Sequence, residues 1–254
     1  MNDGSRVVLI TGAARRIGAA VARDLASVGW SVAVHHHRSL AAAQALVGTI
    51  AANGGCAQAF ATNLQSEAET SQLVGRVADA LGPVHCLINN ASVFERDEAL
   101  SVTRESWERH LQINLRAPFL LTQAFARQVP ESGGCVINVL DQRVWNLTPH
   151  FTSYTVSKAA LWTLTQTLAM ALAPKVRVNA IGPGPTLPSV RQSEEQFVRQ
   201  WSAVPLARPT SPLEIAGVVR FLLDAPGVTG QMIAVDGGQH LGWTVAKRHE
   251  AVDE

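Results

Sequence analysis

Tyr154 and Lys158 lie four residues apart in the run Y-T-V-S-K, a spacing that sets both side chains on one face of an α-helix. A lysine charge beside a phenol favours the phenolate and lowers the tyrosine pKa from about 10 toward the working range. The pair would therefore make a proton donor at neutral pH. Tyr154 is the single tyrosine of the chain, beside six tryptophans and seven phenylalanines, so any phenolate titration belongs to it. A second run suits an anion. Thr11-Gly12-Ala13-Ala14-Arg15-Arg16-Ile17-Gly18 joins a strand-like run to a helical one. Small residues there let the backbone approach a pyrophosphate, and the helix N-terminus offers unsatisfied N–H groups.

A third run, His35-His36-His37-Arg38-Ser39, ends the second strand-like segment. In a dinucleotide-binding fold an acidic residue at that place accepts hydrogen bonds from the ribose 2′-OH and repels a 2′-phosphate. No carboxylate is present. Arg38, the Ser39 hydroxyl and His37 instead suit a dianionic phosphate, which points to NADPH as the cofactor. Adjacent histidines on a strand face opposite ways and do not converge on one ion, so no metal is expected.

These residues need a scaffold. The chain has 254 residues, with 21 Lys+Arg against 20 Asp+Glu, a formal charge of +1. That balance excludes a strongly basic nucleic-acid binder and an acidic solvating protein. Hydrophobic residues make up 47% and charged residues 16%, the composition of a globular chain with a substantial core. No apolar run approaches the ~18 residues of a membrane span. The first strand-like run begins within six residues of the start, leaving no room for a signal peptide, so a cytoplasmic location is expected. Cys56, Cys86 and Cys135 sit in or beside apolar runs and read as buried thiols.

Short β-branched runs alternate with helical stretches. Strands are expected at 6–11, 31–35, 57–61, 84–89, 135–140, 176–181 and 232–235, continuous apolar runs of the kind covered by helices on both faces. Helices are expected at 17–28, 40–52, 67–81, 104–129, 153–172 and 212–223, with a short helical piece at 194–201. The pattern predicts an α/β fold: a single doubly wound Rossmann-type domain, with a seven-stranded parallel sheet and helices on both faces. Its expected extent is 1–240, with a mobile substrate loop at about 182–211 and a C-terminal tail at 241–254.

The phosphate loop, the YxxxK pair, Asn89-Asn90-Ala91 and Pro183-Gly184 together resemble the short-chain dehydrogenase/reductase family over nearly the whole chain, through Val235-Asp236-Gly237-Gly238. The resemblance implies that Gly12, Ile17 and Gly18 hold the cofactor diphosphate. It also implies that Asn63 and Leu64 meet the adenine, Asn90 and Ala91 border the adenosine and ribose, and Pro183 and Gly184 belong to the cofactor site. Lys158 would bind the nicotinamide ribose and tune Tyr154. Asn114, in L-Q-I-N-L, matches the asparagine that anchors a water beside the lysine. Several positions depart from the common pattern. Arg16 replaces the middle glycine of TGxxxGxG, Ser92 replaces the glycine of NNAG, and Asp141 stands thirteen residues before Tyr154, where the family has a serine.

Those departures resemble the pteridine reductases and dihydromonapterin reductases within the family, as does the HxHRS run. That resemblance implies an arginine at 16 reaching both diphosphate and substrate, Ser92 reaching a pterin, and Phe94 covering the pterin face opposite the nicotinamide. A serine hydroxyl suits a developing oxyanion, which a carboxylate would repel. Asp141 suits a basic imine nitrogen, sharing a proton with Tyr154. The expected activity is NADPH-dependent reduction of a pteridine C=N bond, from dihydropterin, dihydrofolate or dihydromonapterin to the tetrahydro form. Two alternatives stay open: a carbonyl reductase of a small ketone or 3-oxoacyl thioester, and a non-catalytic NADP-binding protein. Asp141 also fits a plain cap of the following turn. The family resemblance implies a homotetramer packed through the helices at 104–129 and 153–172.

Overall fold

The computed structural model describes residues 6–189 and 191–242. Seven parallel strands form one sheet: β1 (Val7–Ile10), β2 (Ser31–His36), β3 (Cys56–Ala61), β4 (Val84–Asn89), β5 (Gly134–Val139), β6 (Val176–Pro183) and β7 (Met232–Val235). Their order is β3-β2-β1-β4-β5-β6-β7. The chain crosses from one half of the sheet to the other between β1 and β4. In a doubly wound fold a crevice opens at that point, beyond the carboxyl ends of the strands. Successive side chains along a strand face opposite ways, and β1 serves two cores accordingly. Val8 and Ile10 pack in one with Leu25 and Val219. Val7 and Leu9 pack in the other with Leu73, Leu121 and Phe125.

The helices are α1 (Arg16–Ser27), α2 (Leu40–Ala52), α3 (Glu67–Leu81), α4 (Arg104–Leu111), α5 (Ala117–Gln128), α6 (Thr152–Leu172), α7 (Glu194–Ser202) and α8 (Pro212–Asp224). Their starts are written in the sequence. Ser66 caps α3 through Glu69 N–H, and Ser193 and Ser211 form reciprocal capping boxes with Gln196 and Glu214.

Three expectations are corrected. The single helix expected at 104–129 is broken by a π turn over Gln112–Arg116, closed by an i→i+5 bond from the Ala117 N–H to the Gln112 carbonyl. Such a turn admits one extra residue and re-aims the side chains within it. Asn114 points inward there and is fully buried. Second, β6 runs past 181, since Gly182 and Pro183 pair with Ala234 and Val235, so irregular structure begins only at Gly184. Third, β3 is an edge strand with alternate residues open to solvent, and Cys56 is exposed while Cys86 and Cys135 are buried. Most of the expected tail, residues 243–254, lies outside the described residues, as does Val190 in the expected loop. Among the described residues no helix is long and apolar enough to cross a membrane.

Candidate active site

At the carboxyl end of β5 the chain turns sharply, with Asp141 capping the short 3₁₀ turn Gln142–Val144. Its Oδ1 accepts the Arg143 N–H at 2.8 Å. Its Oδ2 accepts the Tyr154 hydroxyl at 2.8 Å. The capping and chemical readings of Asp141 therefore hold together, one for each oxygen. Lys158 stands one turn along α6 from Tyr154, with Nζ donating to the Val139 carbonyl at 2.8 Å and lying 5.8 Å from the Tyr154 ring centroid. Burial pulls its pKa down to about 8, against the opposing pull of the Asp141 charge. A proton-bearing phenol, a carboxylate and a buried ammonium thus share one corner.

The phosphate loop is built by close packing. Gly12 has φ +63°, and a Cβ there would sit 3.0 Å from Ala91 Cα. A Cβ at Gly18 would lie 2.7 Å from both Asn90 Nδ2 and the Gly12 carbonyl. Thr11 Oγ1 accepts the Asn90 and Ala91 N–H groups at 2.9 and 3.0 Å, and Asn90 Nδ2 donates to the Thr11 carbonyl at 2.8 Å. Asn90 and Ala91 therefore lock the loop to β4. Any side chain at Gly12 or Gly18 would push the loop off β4. This cradle, with Arg15 and Arg16 exposed beside the start of α1, fits a dinucleotide diphosphate.

Sequence reasoning missed what holds the loop from the other side. His35 is buried, its Nδ1 accepting the Gly12 N–H at 3.0 Å while Nε2 lies 3.1 Å from the Thr62 carbonyl. An amide N–H can only donate, so Nδ1 carries the lone pair and Nε2 the proton. Burial above all, with the charges of His36, His37 and Arg76 adding to it against the Thr62 bond, lowers the His35 pKa to about 4. It stays neutral, as an acceptor must. Strand alternation sends His36 to the opposite face, while His37 and Arg38 emerge exposed where the strand ends.

A cavity of about 470 Å³ gathers most of the expected residues: Gly12, Arg16, Ile17 and Gly18 from the loop, Asn90, Ala91, Ser92 and Phe94 after β4, Asp141, Tyr154 and Lys158, and Pro183 and Gly184 at the end of β6. Gly184 is required because a Cβ would stand 2.6 Å from Asp236 Cα. Gln142, unremarked in the sequence, also lines the cavity. Phe94 stacks on Phe151 (centroids 4.5 Å apart, 8° between planes) and meets Tyr154 edge-on at 4.7 Å. Arg16 donates to the carbonyls of Pro188 and Leu187 at 2.9 and 3.2 Å, tying the segment after β6 across the mouth.

Other expected residues lie outside the cavity. His37 and Arg38 are exposed and Ser39 half-buried at the rim beyond β2, and the Ser39 hydroxyl makes no capping bond to α2. Asn63 Oδ1 accepts the Gln65 N–H at 3.1 Å, and the Leu64 side chain is buried in the core. Only backbone at 64 could face an adenine. The Asn114 side-chain amide makes four bonds. Its Nδ2 donates to the Val93 carbonyl and Ser157 Oγ at 2.9 and 3.0 Å, and its Oδ1 accepts the Val93 N–H at 2.8 Å and the Ser92 hydroxyl at 3.2 Å. It fastens the segment after β4 to α6.

The chain is similar to known proteins over nearly its whole length. The pattern of a family described as enoyl-(acyl carrier protein) reductase matches residues 12–240. A crystal structure of FolM alternative dihydrofolate reductase 1 from Brucella canis, complexed with NADP, superposes with a TM-score of 0.92 at 46% identity, covering 96% of this chain and 97% of that one. The Brucella suis protein of the same name, also with NADP, gives 0.92 at 47% identity, over 95% and 97%. Among sequence relatives, a 3-oxoacyl-[acyl-carrier-protein] reductase of Synechocystis is 35% identical over 92% of this chain and 96% of its own length.

Proposed function

The chain belongs to the short-chain dehydrogenase/reductase family as an NADP-dependent oxidoreductase, and on that premise we propose that it reduces a pteridine C=N bond, dihydro to tetrahydro. The observation that carries the proposal is the 2.8 Å bond from the Tyr154 hydroxyl to Asp141 Oδ2. A carbonyl reductase needs a neutral donor where the oxyanion develops. A carboxylate paired with a phenol instead offers one shared proton to a basic nitrogen. The FolM proteins from Brucella, at 46% and 47% identity, carry the dihydrofolate reductase name, which favours the same substrate class. The 3-oxoacyl reductase relative is the reason a thioester belongs in the test.

NADPH, when bound, supplies a hydride to the imine carbon. The chain's residues do the rest. Tyr154 and Asp141 deliver the balancing proton to nitrogen, so that C=N becomes CH–NH. Lys158, charged below about pH 8, stabilises negative charge left on the pair. Gly12, Ile17, Gly18 and Arg16 hold the diphosphate, and His37, Arg38 and Ser39 the 2′-phosphate. The backbone at Asn63 and Leu64 borders the adenine, and Asn90, Ala91, Pro183 and Gly184 frame the ribose and nicotinamide. Ser92, Phe94 and Arg16 take the pterin. A flat ring against an aromatic face gains about 1 kcal/mol beyond burial. Asn114 acts by holding the 92–93 segment against Ser157 of α6. The substrate loop is the stretch of about 182–211, tied by Arg16 at the Leu187 and Pro188 carbonyls, within a functional domain of residues 1–240.

We further propose a homotetramer. Trp107, Leu111, Leu115, Phe119 and Leu164 line a groove across α4, α5 and α6, rimmed by Glu67, Glu105, Glu108, Arg109 and Arg116. Its mixed-sign rim suits a second copy of the same face. NADPH oxidation with dihydropteridines, small ketones and a 3-oxoacyl thioester tests the activity. Turnover of a dihydropteridine and little of the others is expected, and good turnover of a ketone or thioester with no dihydropteridine overturns the proposal.

A further inference from the structure

Tyr154 reaches Asp141 from the first turn of α6, and that turn lacks a local cap. Phe151, the residue before it, makes no side-chain capping bond and is held at φ +58°, a left-handed conformation costing a non-glycine residue about 1–3 kcal/mol. The helix start must therefore be held from elsewhere. A carboxylate 56 residues away in sequence does it. Asp97 is buried, with Oδ1 accepting the Ser153 N–H at 3.0 Å and its backbone carbonyl accepting the Thr152 N–H at 3.3 Å. Oδ2 accepts the Ser106 hydroxyl at 2.7 Å and the Ser153 hydroxyl. Burial pushes the Asp97 carboxyl up, but the hydrogen bonds from Ser153 and Ser106 outweigh it and leave it below the usual range.

His110, fully buried, completes the cluster. Its Nε2 accepts the Glu95 N–H at 3.2 Å, which leaves the ring proton on Nδ1. Nδ1 lies 2.8 Å from both the Ser106 carbonyl and Ser153 Oγ. A directed chain of bonds thus runs from Glu95 N–H through His110 and Ser153 to Asp97. The same cluster faces the phenol, with the His110 ring edge-on to the Tyr154 ring at 6.3 Å. A flanking hydrogen bond between His150 Nδ1 and Glu98 Oε2 at 2.9 Å, and a β-bridge between Glu98 and His150, fasten the two segments one step further out.

We propose that Asp97, Ser153 and His110 form a positioning unit for Tyr154, setting where its hydroxyl stands relative to Asp141 and Lys158. None of the three touches substrate. The inference rests on Tyr154 being the proton donor. A displacement of about 1 Å in a reacting group can cost on the order of a hundredfold in rate, so loosening this clamp should appear in kcat. Cofactor binding should be spared, because the phosphate loop is held by Asn90 and His35.

The test uses the full chain carrying Ser153→Ala, Ser153→Thr or Asp97→Asn, each also in a Tyr154→Phe background. Steady-state kinetics on a dihydropteridine are measured beside NADPH affinity by cofactor fluorescence. Ser153→Ala is expected to lower kcat by roughly 10- to 100-fold with KM and NADPH affinity within about threefold. Threonine, which keeps the hydroxyl, should restore kcat, and neither Ser153→Ala nor Asp97→Asn should cost more once Tyr154 is phenylalanine. Two results overturn the proposal: kcat within about twofold of the parent in Ser153→Ala, or kcat and NADPH affinity falling in step. If Asp97→Asn fails to fold, Ser153→Ala decides alone. Should the parent reduce a ketone and no dihydropteridine, the comparison is run on the ketone, and that outcome counts against the substrate assignment only.

Discussion

Replacing Asp141 by serine restores the residue most short-chain reductases resemble at this place and asks what the carboxylate does. The substitution removes Oδ2 with its 2.8 Å bond from Tyr154 and puts a serine hydroxyl in place of Oδ1, the oxygen that caps the turn through the Arg143 N–H. Serine caps about as well as aspartate, so the turn should survive at a cost of under about 1 kcal/mol. For a domain of this size that is about 2–4 °C in Tm. The chemical loss should be far larger. A positioned proton donor contributes about 10²–10⁴-fold, so kcat on a dihydropteridine should fall by at least about a hundredfold, or ~2.7 kcal/mol. NADPH affinity should stay within about threefold. A second signature follows from charge: Asp141 holds the Lys158 pKa up, so the alkaline limb of the rate profile should move to lower pH. The assay is NADPH absorbance against dihydropteridine and ketone across pH 5–10. Dihydropteridine turnover within about threefold of the parent, with an unmoved alkaline limb, would refute the reasoning.

Lys158 is charged below about pH 8 and neutral above it, so the parent kcat should decline as pH rises through about 8; initial rates across that range check it. His35 takes up its proton only near pH 4 when folded, against 6.5 as its ordinary value. The unfolded chain therefore binds that proton first, and stability should fall as pH drops from about 6.5 to about 4, by ~3 kcal/mol in total. Denaturant unfolding of the parent and His35→Gln across this window measures it, the variant showing the smaller loss. Gly18→Ala should weaken NADPH binding tenfold or more, since overpacking costs about 1–3 kcal/mol where the added Cβ meets Asn90 and the Gly12 carbonyl; fluorescence titration reads it. Arg38→Glu should raise the NADPH Kd by roughly 10- to 100-fold, the worth of a charge-assisted hydrogen bond, and leave NADH binding nearly unchanged.

Features carried by local spacing were legible in the sequence. The glycine loop, the YxxxK pair and the acid-free end of β2 each state their chemistry within a few residues, and α2 and α3 have the expected bounds because periodicity and flanking Gly and Ser mark both ends. What escaped depends on partners far along the chain. The π turn exists where Asn114 turns in to meet Val93 and Ser157, contacts that no helical period reveals. His35 reads as one of three histidines until Gly12 N–H is seen against its ring. Asp97 looks like a surface residue in a polar run, yet it caps a helix 56 positions later. Cys56 is exposed although its run is apolar, because an apolar run does not tell an edge strand from a central one. The Gly- and Pro-rich run from Gly182 reads as irregular, yet Gly182 and Pro183 still pair with Ala234 and Val235, since a proline without an N–H can close a strand's end.

The central claim, that a carboxylate at 141 turns this reductase fold toward a C=N bond, is tested most directly by competition. A dihydropteridine and a 3-oxoacyl thioester at equal concentration are mixed with limiting NADPH and the enzyme, and the products are identified by mass. Tetrahydropteridine accumulating in proportion to NADPH consumed, with the thioester intact, is the predicted result; consumption of NADPH into the hydroxyacyl product, with the dihydropteridine untouched, contradicts it.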